Sequence, residues 1–167
     1  METWSRGIAG FRGYREYRIF SGEECVVSCS SLWIYIDLET KTPTRLPEEI
    51  VATFPILESA PFSPELDRFG RNAPESSRAK TVAVSLRYSD IDANRHVNNA
   101  SYLEFLQTAL AAEGVEAAPR PTEVHVKFMR EILPDAGGVR VLLESVGEKT
   151  LFSIAAGETI CAQGQYR

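Results

Sequence analysis

The sequence predicts an α+β fold, an antiparallel sheet wrapped around one helix, with a smaller strand-only unit ahead of it. Three observations carry that expectation. Residues 102–110 hold the chain's clearest helical periodicity. Four β-rich segments follow it, separated by glycine-containing turns. An aromatic, β-branched hairpin precedes it. A lone helix laid on a curled antiparallel sheet buries the apolar face of both. The 167 residues are enough for a sizeable core, since chains near ~150 residues bury roughly 70% of their unfolded surface.

In chain order, Gly10–Phe20 and Cys25–Asp37 read as the two arms of an antiparallel hairpin, turned at Ser21–Glu24. Tyr14, Trp33 and Tyr35 are expected to pack on a sheet face. Residues 41–80 change character: Pro43, Pro47, Pro55, Pro61, Pro64 and Pro74 crowd this stretch, and its apolar periodicity is weak. It reads as a connection carrying a short helical turn near Pro47–Phe54. Val82, Val84, Leu86 and Tyr88 alternate as a strand. A polar loop, Ser89–Asn99, leads into the helix, whose apolar face is Tyr102, Phe105, Leu106, Ala109 and Leu110. Asn98 or Asn99 is suited to cap it. Gly114, Pro119 and Pro121 end it. Strands are expected at Val124–Glu131, Val139–Val146, Thr150–Ala156 and Ile160–Tyr166, with turns at Gly137-Gly138, Gly147-Glu148 and Gly157-Glu158. The domain expectation is therefore 1–50, a connection over 51–80, and a main unit over 81–167.

Composition excludes several classes. A hydrophobic fraction of 44% and a charged fraction of 25% do not fit a disordered or low-complexity chain. A net charge of −5 argues against nucleic-acid binding through a global positive field. Cys25, Cys29 and Cys161 form no CxxC pair and have no histidine nearby in sequence, so no metal site is expected. Such sparse cysteines fit a reducing compartment. There is no run of apolar residues near the ~18 of a membrane span and no signal-peptide pattern. A cytoplasmic protein is the expectation.

The chemistry concentrates in Tyr88–Asn99. Asp92, Asn94 and His96 are spaced i, i+2, i+4, and an extended backbone would aim all three one way. The following helix offers free N–H groups near Asn98, Asn99 and Ala100 to a developing oxyanion. Glu131, at the end of a strand expected beside this loop, would complete a carboxylate–imidazole–carboxamide set able to activate water. His125 reads instead as a partly exposed strand residue. No GxSxG elbow or phosphate-binding loop is present.

Arg87-Tyr-Ser-Asp-Ile-Asp-Ala-Asn-Arg-His-Val-Asn-Asn-Ala-Ser-Tyr-Leu-Glu-Phe105 resembles the signature of the plant and bacterial acyl-acyl-carrier-protein (acyl-ACP) thioesterases. Thr3–Gly10, Trp33–Glu48 and Arg130-Glu131 also match, in family order. The resemblance implies a double hotdog fold and places the catalytic set at Asp92, Asn94, His96 and Glu131. It implies hydrolysis of acyl-ACP to free fatty acid, with ACP as partner and no cofactor. Many plant members have a cysteine directly after the glutamate; Ile132 stands there, which favours attack by water. Arg68, Arg71, Arg78, Lys80 and Arg87 are candidates to meet the acidic carrier. By the same resemblance the chain starts inside the first hotdog, so the acyl pocket is expected to be incomplete and a homo-oligomer is a natural expectation. An acyl-CoA thioesterase, a hotdog dehydratase and an inactive acyl-binding fragment are the alternatives.

Overall fold

The computed structural model describes residues 1–54, 66, 73–75, 77–114 and 122–167. They fall into two compact units, Met1–Phe69 and Gly70–Arg167.

The first unit is a three-stranded antiparallel sheet of β1 (Glu2–Ala9), β2 (Arg12–Ser21) and β3 (Glu24–Ile34), in that order. The expected hairpin is β2–β3, in register from Arg12 opposite Ile34 to Ser21 opposite Glu24. β3 stops at Ile34, short of Asp37. Asp37 instead closes a turn, its Oδ1 accepting from the backbone amides of Thr40 and Glu39 at 2.7 and 3.0 Å. A short helix, α1 (Glu48–Ala52), lies within the expected Pro47–Phe54 turn. The expected packing of the aromatics is not seen. Trp33 is 58% exposed and Tyr35 38%, and only Tyr14 is half-buried. Ser5 is the one fully buried residue among those described in this sheet.

Most of the expected 51–80 connection, with Pro55, Pro61 and Pro64, lies outside the described residues, as do Pro119 and Pro121. At its described end the Glu75 amide donates to the buried Glu144 carboxylate at 2.7 Å.

The second unit comprises β4 (Lys80–Val84), α2 (Asn99–Ala112), β5 (Val124–Phe128), β6 (Val139–Val146), β7 (Lys149–Ala156) and β8 (Thr159–Tyr166). The sheet order is β4-β6-β7-β8-β5. β6, β7 and β8 are neighbours because two-residue turns join them, each opening on a glycine with φ near +60° (Gly147 61°, Gly157 57°). β5 does not continue this run. It pairs with β8 at the far edge, and residues 129–138 carry the chain back across. β5 also ends at Phe128, not Glu131, because the amides of Met129 and Arg130 both donate to the Cys161 carbonyl (2.7 and 3.1 Å), which breaks the ladder. β4 ends at Val84 rather than Tyr88. Residues 88–90 form a single 3-10 turn and Tyr88 is 98% exposed.

α2 has the expected apolar face. Tyr102, Phe105, Leu106 and Ala109 pack in one core with Val139, Val141 and Leu143 of β6, Phe152 and Ile154 of β7, and Cys161, Ala162 and Tyr166 of β8. Asn98 is the N-cap, its Oδ1 accepting from the Ala100 amide at 2.9 Å. Asn98→Ala is therefore expected to lower stability by about 1 kcal/mol, read as a shift in the denaturant midpoint without a change in slope. Gly114 ends the helix at φ 64°.

Candidate active site

The loop between the 3-10 turn and α2 is closed, not extended. The Asp92 amide donates to the His96 carbonyl (3.0 Å), the Arg95 amide to the Asp92 carbonyl (3.0 Å), and the Asn98 amide to the Asp90 carbonyl (2.8 Å). Ile91 and Val97 form an isolated bridge between the two arms. Two local features drive this closure. The Asp92 Oδ1 accepts from the Asn94 amide at 2.8 Å, an Asx-type turn. Arg95 takes a left-handed conformation, φ 64°, which a non-glycine residue adopts only where surrounding contacts compensate its cost.

This corrects the expectation that Asp92, Asn94 and His96 point one way from an extended strand. Asp92 and His96 face each other across the turn, His96 Nδ1 lying 3.6 Å from Asp92 Oδ1. That is ion-pair range when the ring is protonated, and longer than a hydrogen bond. Both side chains are partly buried, at 27% and 22% exposure. Asn94 sits exposed at the turn's tip.

Glu131 is brought to this loop through its neighbours. The Val97 amide donates to the Ile132 carbonyl at 2.9 Å, joining the residue after His96 to the residue after Glu131. The Tyr102 hydroxyl, from α2, donates to the Arg130 carbonyl at 3.3 Å. Burial, then the nearby Cys161 and Glu131, push that hydroxyl's pKa up to about 12, so it stays a donor. The Ile132 side chain is 1% exposed and belongs to the core. With both flanking carbonyls tied and Ile132 anchored inward, the Glu131 side chain is presented outward. Phe128, Met129 and Leu133 expose apolar surface around it, at 43%, 45% and 51%.

The expected oxyanion donors narrow to one. The Asn98 amide is taken by Asp90 and the Ala100 amide by the Asn98 side chain. Among the described residues only Asn99, of these three, has an amide without a protein acceptor. A cap and a closed loop consume the N–H groups that a bare helix start would leave open.

Sequence reasoning passed over Asp90. It is 1% exposed. Its Oδ2 accepts from the Arg87 amide at 2.7 Å, and its Oδ1 from the Arg87 guanidinium at 2.6 Å. Burial raises its pKa, but Arg87's hydrogen bonds and charge, with a hydrogen bond from Ser101, outweigh burial and hold the carboxyl below the usual range. Arg87 also pairs with Glu104 of α2. The signal was available: Arg87 and Asp90 stand three apart at a strand-to-loop junction.

Other expected residues are placed as follows. His125 is partly exposed, as expected, its Nε2 2.8 Å from Glu123 Oε1. Of the candidate carrier-facing cations, Arg78 pairs with Glu75 (3.7 Å) and Lys80 with Glu113 (2.6 Å), while Arg87 is engaged as above. Arg68 and Arg71 lie outside the described residues. Cys161, whose Sγ lies 3.9 Å from the Glu131 carbonyl oxygen, is buried, and burial pushes its thiol pKa up. No helix among the described residues is long and apolar enough to cross a membrane.

A five-stranded antiparallel sheet around one helix, with polar groups gathered where the helix begins, defines the hotdog fold. Known proteins extend this. The acyl-ACP thioesterase C-terminal domain family matches residues 73–163, and the N-terminal domain family matches residues 1–54. The chain belongs to the acyl-ACP thioesterase family. It is 29% identical over 97 residues to a chloroplastic acyl-[acyl-carrier-protein] hydrolase of Cuphea viscosissima, covering 56% of this chain and 23% of that protein. It is 25% identical over 141 residues to the chloroplastic palmitoyl-acyl carrier protein thioesterase of Arabidopsis thaliana, covering 78% of this chain and 33% of that one. The chain thus spans a third or less of the length of these relatives. Among solved structures, an acyl-ACP thioesterase from Bacteroides thetaiotaomicron superposes with a TM-score of 0.75 at 19% identity, over 98% of this chain and 65% of that one. The 12:0-ACP thioesterase of Umbellularia californica gives 0.73 at 19% identity, over 99% and 65%. At such identities these likenesses speak for the fold.

Proposed function

We propose that this chain hydrolyses the thioester of an acyl group carried on acyl carrier protein, releasing a free fatty acid and the carrier thiol and so ending chain elongation. The observation that carries the reading is the Val97–Ile132 hydrogen bond, which tethers the Asp92/His96 loop beside Glu131. Family membership supports the thioester chemistry. The apolar side chains around Glu131 are in keeping with an acyl substrate.

In this reading Glu131 takes a proton from water as that water adds to the thioester carbonyl. The Asn99 amide, at the positive end of the α2 dipole, stabilises the oxyanion. Asp92 orients His96 through Nδ1, leaving Nε2 to hold the water or assist the proton transfer. Asn94 holds the water or the carbonyl. The tetrahedral intermediate then expels the thiolate, which takes the proton back from Glu131. Water, rather than a cysteine, is the nucleophile: position 132 is an inward-facing isoleucine, and the Cys161 thiol is buried and kept protonated. A cytoplasmic location is part of this proposal, and three free cysteines accord with a reducing compartment.

The test is thiol release from matched acyl-ACP and acyl-CoA. The expected kcat/KM is at least about tenfold higher for the carrier-bound acyl group, a difference of about 1.4 kcal/mol. Equal or better turnover of acyl-CoA contradicts the carrier assignment.

A further inference from the structure

Asp90 is a buried carboxylate that the proposed hydrolysis does not use. It touches three pieces of chain at once. Its carboxylate holds the amide and guanidinium of Arg87, where the chain leaves the sheet. Ser101, buried in the first turn of α2, acts on the same carboxylate and helps to hold it charged. The Asp90 backbone carbonyl accepts the Asn98 amide at 2.8 Å, closing the loop that carries Asp92 and His96. Arg87 in turn reaches Glu104, one turn further along α2. Sheet exit, loop base and helix start are thus clamped through one residue. The amide beside this clamp is that of Asn99, the one left open.

We infer that Asp90, held by Arg87, is a positioning residue that sets the Asp92/His96 loop and the Asn99 amide in register with Glu131. The inference rests on the proposed hydrolysis for its catalytic consequence, but its structural content stands apart. A buried ion pair is weak evidence for stability as such, because desolvation offsets much of the attraction. Asp90 is also hydrogen-bonded to Arg87 through its carboxylate and to Asn98 through its backbone carbonyl, and a displacement of about 1 Å in a reacting group costs on the order of 10²-fold in rate.

The experiment uses Asp90→Asn in the full chain, with two readouts. In turnover, kcat is expected to fall about 10²-fold with KM little changed. In an Asp92→Ala background the same substitution is expected to cost less than about threefold further, since residues acting as a unit are non-additive. In amide hydrogen exchange, protection at Asn98 and Val97 is expected to drop at least about tenfold more than in β6 and β7. Unchanged kcat and unchanged Asn98 protection in a folded variant would overturn the inference, and so would a uniform loss of protection across the unit. Should Asp90→Asn not fold, Arg87→Lys replaces it. Lysine keeps the charge but loses the fork that spans Asp90 and Glu104, and the same two patterns decide. A wild-type chain without turnover would count against the hydrolysis, and the exchange pattern alone then decides the role of Asp90.

Discussion

Replacing Glu131 by glutamine is expected to lower kcat by about 10²–10⁴-fold, the usual contribution of a positioned general base. The fold should be unaffected. The bonds that anchor this segment among the described residues run through the backbone amides of Met129 and Arg130, the backbone carbonyls of Arg130, Glu131 and Ile132, and the buried Ile132 side chain, none of them through the Glu131 carboxylate. Glutamine has the same shape and leaves all of these in place, but it cannot accept the proton from water. KM should change little, because in the proposed reaction the carboxylate acts on water and not on the acyl chain or carrier. Steady-state kinetics beside circular dichroism of the variant checks both parts. Wild-type kcat in a folded Glu131→Gln protein would remove Glu131 from the chemistry.

The second large effect is on stability and lies away from the polar groups. Gly164, in β8, stands opposite Val126 of β5 and Phe152 of β7. A Cβ there would lie 2.0 Å from the His125 carbonyl oxygen and 2.6 Å from the Phe152 ring. The first of these is backbone of the neighbouring strand, so no rotamer change relieves it. Phe152 is fully buried and has no room to retreat. Gly164→Ala must push β5 off β8 or empty part of the core, and is expected to destabilise by about 3 kcal/mol or more. For a chain of this size that is a fall in Tm of about 6–12 °C. Because β5 leads into Glu131, activity should fall at temperatures where the remaining fold survives. A Tm within 1–2 °C of wild type, a span worth at most about 1 kcal/mol, would show the packing at Gly164 to be looser than described.

Much of this architecture is written locally in the sequence. The α2 stripe Tyr102, Phe105, Leu106, Ala109 and its Asn98 cap depend on residues within a few positions of one another. The β6–β7–β8 meander follows from glycine-led two-residue turns. What is not local was not legible. That β5 joins β8 rather than β6 depends on a chain reversal over residues 129–138, whose path no periodicity encodes. That β4 stops at Val84 depends on its distant partner β6, whose first residue, Val139, stands opposite it. At the site, the residue types at Asp92, His96 and Glu131 could be singled out in advance. Their arrangement could not, because it turns on Arg95 adopting a left-handed φ and on the Asp92 side chain bonding its own turn. The same closure consumes the Asn98 amide, and the cap consumes the Ala100 amide. A count of free N–H groups from sequence therefore overstates the donors available to an oxyanion.

In the proposed function, water activated at Glu131 beside the Asp92/His96 loop cleaves an acyl-ACP thioester. The most direct test is to incubate the purified chain in 18O-labelled water with a saturated acyl-ACP and, separately, with its 3-hydroxyacyl counterpart, and to analyse products by mass spectrometry. Hydrolysis by water yields free fatty acid carrying solvent oxygen, with a matching release of carrier thiol, and both are expected to be lost in Glu131→Gln. An enoyl product with the thioester still intact, or substrate bound without turnover by a folded chain, would contradict the proposed function.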